Sequence, residues 1–262
     1  MLEISSSNNP LIKEIKGLNK KRNRWKSKLF IIEGVKIVEE AINSEIKIRK
    51  ILFSNSFLES KEGLIFYENV KNTYDTLRLK DNLFKDLSDT ENPQGIMALC
   101  EFHLRDLTEI GALDNPSILF LDAIQDPGNL GTIIRSADAF DIDGIILGEG
   151  CVDPYNLKVV RSTMGSILRL PLYIRDDSLE TLMTLKQDGF EIMVTSLDGS
   201  PIYDIDFKKK FVAVIGNEAK GVNPKILDLA DKYIKIPMPG KAESLNAGVA
   251  ASILMYETMR NR

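Results

Sequence analysis

Apolar residues in the first hundred positions alternate between two spacings. Short continuous apolar runs predict buried strands, and apolar residues three or four positions apart predict helices that pack against them. Pro10 follows Asn8 and Asn9, which suits the capped first turn of a helix. The alternation predicts a small α/β unit. Its strands are expected at residues 29–33, 51–53 and 95–100, and its helices at residues 10–18, 35–42 and 77–87.

A second series of strands and helices fills the rest of the chain. Its strand candidates are apolar and β-branched on both faces, which is typical of a parallel sheet covered by helices on both sides. We expect a domain at residues 1–104, a linker at the polar residues 105–116 and a second domain at residues 117–262. In the second domain, strands are expected at residues 118–122, 144–147, 172–174, 191–196, 211–215 and 233–236, and helices at residues 130–140, 179–187 and 244–259.

The composition fits a globular protein of two domains. The chain has 262 residues, of which 44% are hydrophobic and 27% charged. No apolar stretch approaches the roughly 18 residues that a membrane span needs, and the N-terminus lacks the apolar core of a signal peptide. Cys100 and Cys151 lie outside any metal-ligand spacing, and the single His103 has no Ser or Cys partner nearby in sequence. We therefore expect a cytoplasmic protein without a disulfide scaffold, a metal site or a membrane anchor.

Charge is distributed unevenly along the chain. The net charge is −4, yet residues 1–100 carry 17 Lys and Arg against 14 Asp and Glu. Between Lys13 and Lys28 there are eight basic residues and one acidic residue, which favours phosphate binding, although a solvated helix face has the same pattern. Trp25, the only tryptophan, could stack on a base or anchor this segment to the core. The candidate RNA contacts are Lys20, Lys21, Arg22, Arg24 and Lys26.

Three loops of the second series combine glycines with polar side chains, and each follows a predicted strand. Loops at the carboxyl ends of parallel strands are where α/β proteins bind ligands. The first loop, residues 126–135, has two glycines that allow a ligand to approach the backbone. Asn129 is expected to cap the next helix, and Arg135 falls one to two turns into it. A plain cap and an exposed helix charge would explain the same two residues.

The second and third loops differ from common nucleotide-binding motifs. The second, residues 214–221, has Gly216 and Glu218 but lacks the Lys and Ser or Thr that a phosphate-binding loop needs after its second glycine. The third, residues 236–246, has two prolines and a glycine, so its unpaired backbone groups suit an adenine edge and a ribose. Ser244 is expected to cap the last helix. The small residues that follow allow another element to pack very close, with or without a ligand.

In this order, the loops resemble the three signature motifs of the SpoU (TrmH) class of SPOUT RNA 2′-O-ribose methyltransferases. The front half resembles the RNA substrate-binding domain of that family, a fold like a small ribosomal protein. Three motifs in register make the resemblance specific, and it covers nearly the whole chain. In the loops it rests on Asn129, Gly131, Arg135, Ala137, Ile215, Gly216, Glu218, Gly221, Ile236, Pro237, Met238, Ser244, Leu245 and Asn246. In the front half it rests on Phe30, Glu33, Gly34, Glu40, Ala41, Thr90, Gln94 and Gly95.

The resemblance implies a fold, a cofactor and an assembly. The α/β second domain would form a trefoil knot, in which the C-terminal segment threads a loop. The protein would be a homodimer with its site near the subunit interface. S-adenosylmethionine would lie bent in the knot. Its expected contacts are Thr195, Gly216, Ile236, Met238 and Leu245.

The implied reaction is methyl transfer to a ribose 2′-hydroxyl of structured RNA, with 23S-type ribosomal RNA favoured. This hydroxyl is a poor nucleophile and must be aligned and helped to lose its proton. Arg135 corresponds to the family residue assigned to that step. Because arginine stays protonated, we expect it to orient the hydroxyl and a phosphate and to stabilise the developing oxyanion. The other expected catalytic residues are Asn129, Glu218, Ser244 and Asn246.

Three alternatives stay open on the sequence alone. A non-catalytic RNA-binding protein could use the same scaffold, although it would lack the polar motif residues. A small-molecule enzyme of the doubly wound type would need nucleotide fingerprints that this chain lacks. A transfer-RNA methyltransferase would share the catalytic domain. The front domain, and the absence of a long basic tail after the last helix, favour ribosomal RNA instead.

Overall fold

The computed structural model describes residues 1–261 as two compact units. The first consists of Met1–His103 together with Tyr155–Leu168. The second consists of Leu104–Pro154 and the rest of the described chain. A short segment from the middle of the second predicted domain therefore belongs to the first unit, which the sequence pattern did not indicate.

The first unit is built on a mixed sheet. Its strands are β1 (Leu2–Ile4), β2 (Leu29–Glu33), β3 (Ile48–Ser54), β4 (Thr76–Leu79) and β5 (Ile96–Glu101). They lie in the order β1-β4-β3-β5-β2, and β5 is antiparallel to both of its neighbours. Its helices are α1 (Pro10–Gly17), α2 (Lys21–Ser27), α3 (Val35–Ile42), α4 (Asn55–Glu59), α5 (Lys61–Val70), α6 (Asp81–Leu87) and α9 (Leu157–Ser162).

Local sequence signals account for several of these elements. The side chain of Asn9 accepts the N–H of Leu11 at 2.9 Å and caps α1, with Pro10 in the first turn, as predicted. The predicted helix over residues 77–87 is wrong in its first part, because residues 76–79 form β4 between β1 and β3. Pairing on both edges satisfies that backbone, so the helix begins at Asp81.

The residues that carry the likeness to an RNA-binding domain hold a loop in place. The carboxylate of Glu33 accepts hydrogen bonds from the hydroxyls of Ser88 at 2.6 Å and Thr90 at 2.9 Å. The side-chain oxygen of Gln94 accepts the N–H of Val35, the first residue of α3, at 2.9 Å. These bonds fix the loop before β5 against the turn between β2 and α3.

The second unit is built on a parallel sheet, as predicted. Its strands are β6 (Ser117–Leu121), β7 (Gly144–Leu147), β8 (Leu172–Ile174), β9 (Glu191–Pro201), β10 (Phe211–Ile215) and β11 (Lys232–Lys235). Their order is β11-β9-β10-β6-β7-β8, and every neighbouring pair is parallel. Its helices are α7 (Thr108–Gly111), α8 (Pro127–Ala139), α10 (Ser178–Gln187), α11 (Pro224–Leu227) and α12 (Ala247–Asn261).

Both faces of this sheet are covered. Ile118 and Phe120 of β6 pack in one apolar cluster with Leu182 of α10. Leu119 and Leu121 point to the opposite face and are equally buried. The cluster also contains the fully buried Ile110 of α7, so part of the segment expected as a linker packs on the second unit.

Helices α8 and α12 pack at short range. A Cβ atom on Gly248 of α12 would lie 3.2 Å from the Cβ of Thr132 on α8. The hydroxyls of Ser136 and Ser252 are 2.8 Å apart across the same interface. The small residues at the start of the last helix therefore allow close packing, as expected, and the packed element is the helix that carries the first loop.

Replacing Gly248 with leucine is expected to destabilise the protein by about 1–3 kcal/mol, because the new side chain would overpack the contact with Thr132. Urea denaturation should show a lower midpoint. The matched control is Gly111→Leu, since a Cβ at Gly111 meets nothing within 4 Å. Equal midpoints for the two variants would contradict the close packing of α8 and α12.

Residues 1–261 contain no helix that is both long and apolar enough to cross a membrane. No group of three or more His, Cys, Asp or Glu side chains is arranged to hold a metal ion in that part of the chain. Burial raises the pKa of Cys100 to about 12 and that of Cys151 to about 11, so both are neutral thiols at physiological pH.

Candidate active site

The carboxyl ends of β6 and β10 flank the point where the connectivity of the sheet reverses. The chain continues from β6 to β7 and β8 on one side, whereas β9, β10 and β11 lie on the other. In open α/β sheets, ligands bind outside the carboxyl ends at such a switch point. The first predicted loop follows β6 and the second follows β10, so the strand order places them side by side.

Side-chain hydrogen bonds join all three loops. The Nδ2 of Asn129 donates to Oε1 of Glu218 at 2.6 Å. The Nδ2 of Asn246 donates to Oδ1 of Asn129 at 2.7 Å. Asn129 thus donates with one end of its amide and accepts with the other. The fold brings together three residues that the sequence predicted separately, 89 and 117 positions apart.

Asp126, rather than Asn129, caps α8. The helix begins at Pro127, and the Oδ1 of Asp126 accepts the N–H of Asn129 at 2.8 Å. The prediction that Asn129 is the cap is wrong because proline, with its fixed φ, starts the helix three residues earlier than expected. The amide of Asn129 is therefore available to bond Glu218 and Asn246.

The second loop is held at its base by two residues that were not predicted from the sequence. The Nδ2 of Asn217 donates to the carbonyl of Ala123 at 2.8 Å, and its Oδ1 accepts two backbone N–H groups of the loop. The buried carboxylate of Asp122 accepts the N–H of Asn223 at 2.7 Å. A polar residue at the carboxyl end of a buried strand is the signal that could have identified Asp122.

Gly216 is required by the tight closure of the second loop. A Cβ there would lie 2.4 Å from both the carbonyl carbon of Gly221 and the nitrogen of Val222. Any side chain at this position would force the loop open. Within residues 1–261, the backbone of Gly216 itself makes no hydrogen bond, so its N–H and C=O are available to a ligand.

Thr195 lies at a break in β9. Its hydroxyl donates to the carbonyl of Val214 at 2.9 Å and ties the end of β9 to β10. The register between β9 and β11 shifts just after Val194, so residues 195–199, which include Thr195, bulge from the ladder. The strand then continues to Pro201, five residues beyond the predicted end.

The third loop leaves its backbone unpaired. Ile236 directly follows β11, and Ile236, Met238 and Leu245 are each half-buried. Residues 237–245 make no hydrogen bond with any part of the described chain. The loop therefore combines apolar surface with free donors and acceptors.

Arg135 lies apart from the hydrogen-bonded network. It is exposed on α8, six positions after Asn129, which places it about 240° around the helix axis and roughly 9 Å along it. No carboxylate within residues 1–261 forms an ion pair with it. Its charge is therefore not neutralised by any neighbour in the described chain.

Ser244 does not cap the last helix. The helix begins at Ala247, and the Oδ1 of Asn246 accepts the N–H of Val249 at 3.2 Å. The cap position thus falls to Asn246, which corrects the prediction. Ser244 is exposed and makes no hydrogen bond to the described residues.

The predicted RNA contacts all lie at α2, and all but one of them are exposed. Lys20, Lys21, Arg22 and Lys26 are exposed. Arg24 is only 3% exposed, and its Nη1 donates to the carbonyl of Leu18 at 2.6 Å. The prediction of Arg24 as an RNA contact is wrong, because this guanidinium fixes α2 to the end of α1.

The fold and the site together define a class. The second unit has a parallel α/β sheet. At its switch point, amide and carboxylate side chains lie beside unpaired backbone, which is typical of an enzyme that binds a small ligand at this edge of the sheet. The chain belongs to the SpoU rRNA Methylase family, whose model matches residues 116–256. A second model, the MRM3-like substrate binding domain, matches residues 9–98. Both halves of the resemblance are confirmed.

Similar proteins of nearly equal length include named methyltransferases. The chain is 35% identical to the 23S rRNA (guanosine(2553)-2′-O)-methyltransferase RlmP of Bacillus subtilis (strain 168), over 98% of each chain. The AdoMet-bound rRNA methyltransferase from Sinorhizobium meliloti has a TM-score of 0.87 and 31% identity, covering 98% of this chain and 97% of that one. The A. aeolicus TrmH/SpoU tRNA modifying enzyme has a TM-score of 0.52 and 33% identity, covering 57% of this chain and 76% of that one.

Proposed function

We propose that this protein transfers a methyl group from S-adenosylmethionine to a ribose 2′-hydroxyl of ribosomal RNA of the 23S type. The observation that carries the proposal is the hydrogen-bonded chain from Asn246 through Asn129 to Glu218, which joins the three motif loops at the switch point. A non-catalytic RNA-binding protein would have no need of this polar network. The activity of the similar proteins supports the same reaction.

S-adenosylmethionine is the methyl donor, and the ends of β9, β10 and β11 fit it. The unpaired backbone at Gly216 and in residues 237–245 suits the polar edges of adenine and ribose. When bound, the cofactor supplies an electrophilic methyl group on a sulfonium. The contacts that we propose for it are Thr195, Gly216, Ile236, Met238 and Leu245.

We assign Arg135 to the RNA ribose. Its guanidinium is protonated and unneutralised within residues 1–261, so it can orient the 2′-hydroxyl and an adjacent phosphate and stabilise the oxyanion that develops as the proton leaves. Asn129, Glu218 and Asn246 hold the loops in register. The exposed hydroxyl of Ser244 is assigned to the same site.

A homodimer is part of the proposal. Val249, Tyr256 and Met259 are each nearly half exposed and share one face of α12. A second copy of the chain would cover this apolar stripe. The ring of Tyr256 contacts Phe140 at the end of α8, so such an interface would adjoin the helix that carries Arg135.

We also propose that the second unit forms a trefoil knot. The close packing of α8 on α12 supports this proposal.

Ribosomal RNA is favoured over transfer RNA by the extent of the similarity. The ribosomal-RNA enzyme of Bacillus subtilis matches the whole chain, whereas the tRNA modifying enzyme matches little more than half of it.

We propose that the first unit supplies the affinity for RNA and that the second unit carries out the methyl transfer. We also propose that the protein works in the cytoplasm, where ribosomes are assembled. Because Tyr155–Leu168 belongs to the first unit, deletion of residues 1–104 would expose that segment, so point variants test this division better.

The test is methyl transfer by the purified protein from radiolabelled S-adenosylmethionine to unmodified 23S ribosomal RNA and, separately, to unmodified transfer RNA. We expect label in the 23S transcript at a site where the next phosphodiester resists alkali, since that resistance requires a blocked 2′-oxygen. Label in transfer RNA alone would overturn the choice of substrate. Calorimetric binding of S-adenosylmethionine without transfer to either RNA would overturn the enzymatic proposal.

A further inference from the structure

Apart from Arg24, the basic side chains at α2 have no acidic partner among the described residues, whereas several other basic side chains of the first unit are paired. Elsewhere in that unit, Lys47 and Arg49 pair with Glu101, and Lys71 pairs with Glu68. No ion pair within residues 1–261 engages Lys20, Lys21, Arg22, Lys26 or Lys28. Five cations in nine consecutive positions therefore form a patch that the protein leaves unneutralised.

Two of these cations lie over the ring of Trp25. The Nζ of Lys21 is 5.6 Å from the ring centroid, and the Nζ of Lys28 is 4.9 Å from it. Lys28 ends α2 in the left-handed conformation, with φ 56°, and its ammonium also lies 5.6 Å from the ring centroid of Phe102. The negative face of an aromatic ring attracts a cation, so the indole restrains both lysines.

The indole is itself held in position. Trp25 packs edge-on against Phe102, with centroids 5.8 Å apart, and Phe102 stacks on Tyr155 at 3.9 Å. Phe102 and Tyr155 are buried, and the bond from Arg24 to Leu18 fixes the backbone of α2. A base that stacked on Trp25 would have to displace a lysine from the ring.

We propose that Lys21 and Lys28, held over the indole of Trp25, form a preorganised site for phosphodiester oxygens of an RNA backbone. The proposal rests on the proposed function and specifies where the first unit binds its RNA. Lysines that are already restrained lose less side-chain freedom on binding than free ones. An RNA backbone is favoured over an acidic polypeptide because it offers closely spaced charges along its whole length.

The charges are tested by Lys21→Met with Lys28→Met in the full chain, measured as affinity for a 23S rRNA fragment at several salt concentrations. The slope of log affinity against log salt should become shallower by roughly 0.7–0.9 for each phosphate that the variant no longer binds. The matched control is Lys47→Met with Lys71→Met, which removes two paired lysines from the same unit. Equal slopes for the two double variants would overturn the site.

The role of Trp25 is tested by Trp25→Leu, which keeps every positive charge. We expect RNA affinity to fall about fivefold when neither lysine has a ring to lie over, and Trp25→Phe to recover part of it, because phenylalanine also attracts cations. Unchanged affinity in Trp25→Leu would mean that the lysines act without the ring and would overturn the proposal. A decrease that depends on which homopolymer is bound would indicate base stacking and would overturn it too.

The single tryptophan gives an independent measurement in the wild-type protein. Its fluorescence should change when the RNA fragment binds, and the double variant Lys21→Met with Lys28→Met should lose most of that change. A response to polyglutamate but not to RNA would assign the site to an acidic protein instead. Circular dichroism and the urea midpoint check that each variant is folded.

Failure of this site and failure of the proposed function give different results. If wild-type protein methylates 23S ribosomal RNA while the double variant has the affinity and salt dependence of wild type, the site is wrong and the function stands. If wild-type protein transfers no methyl group to either RNA but the salt slopes differ as expected, the function is wrong and the site stands.

Discussion

Replacing Arg135 with alanine should abolish most methyl transfer while cofactor binding persists. Loss of one preorganised group that stabilises a developing oxyanion lowers turnover by about 100- to 1,000-fold. Arg135 lies outside the hydrogen-bonded network of Asn129 and is not among the proposed cofactor contacts, so affinity for S-adenosylmethionine should stay at the wild-type value. Single-turnover transfer to 23S ribosomal RNA measures the first quantity, and calorimetry measures the second.

Two further variants sharpen this prediction. Arg135→Lys keeps the charge but loses the planar fork, so it should recover a minor part of the rate. Arg49→Ala removes another exposed arginine, paired with Glu101 in the first unit, and should transfer at the wild-type rate. Transfer by Arg135→Ala at a rate close to that of Arg49→Ala would remove Arg135 from the reaction.

The second large effect is expected from Asn129→Asp. This change keeps the size of the side chain and the bond from Asn246, but it sets a carboxylate against Glu218 where a donor now lies 2.6 Å away. Repulsion should separate the first and second loops, and a misplacement of about 1 Å lowers turnover about 100-fold. Transfer rates and cofactor affinity should both fall, whereas Asn43→Asp, which adds the same charge at the surface, should have neither effect.

The same pair offers a rescue. In Asn129→Asp combined with Glu218→Gln, the new amide can donate to the new carboxylate, which restores the bond with its direction reversed. Activity should return to within about tenfold of wild type, and a double variant as inactive as the single one would show that the bond is irrelevant.

In the single variant Asn129→Asp, the two adjacent carboxylates raise the pKa of one of them, so they share a proton as pH falls. Its rate relative to wild type should therefore rise toward acidic pH.

Much of the site was predictable from residue type and order. Asn129, Glu218 and Asn246 follow buried strands or precede a helix, and the carboxyl edge of a parallel sheet is where such residues gather. Their hydrogen bonds were not predictable, because the sequence indicates neither the strand order nor the cap at Asp126. Asp122 was missed because a carboxylate at the end of an apolar run has the same pattern as an ordinary turn residue.

The basic segment between Lys13 and Lys28 was also only partly predictable from the sequence. Its composition predicted a cationic surface, and the five charges of Lys20, Lys21, Arg22, Lys26 and Lys28 are unpaired within the described residues. Arg24 has the same chemistry as its neighbours, yet it is buried because the turn between α1 and α2 presents the carbonyl of Leu18 to it. The position of Trp25 against Phe102 likewise depends on a residue distant in sequence.

By itself the sequence determined the alternation of strands and helices, the parallel sheet and the identity of the polar residues, since these depend on local periodicity and side-chain chemistry. The tertiary structure decided which of those residues meet. It paired residues 76–79 as a strand despite a helical pattern, placed Tyr155–Leu168 in the first unit and joined three distant loops through one asparagine. Strand order and long-range pairing depend on the whole chain, so the sequence pattern of a short segment cannot predict them.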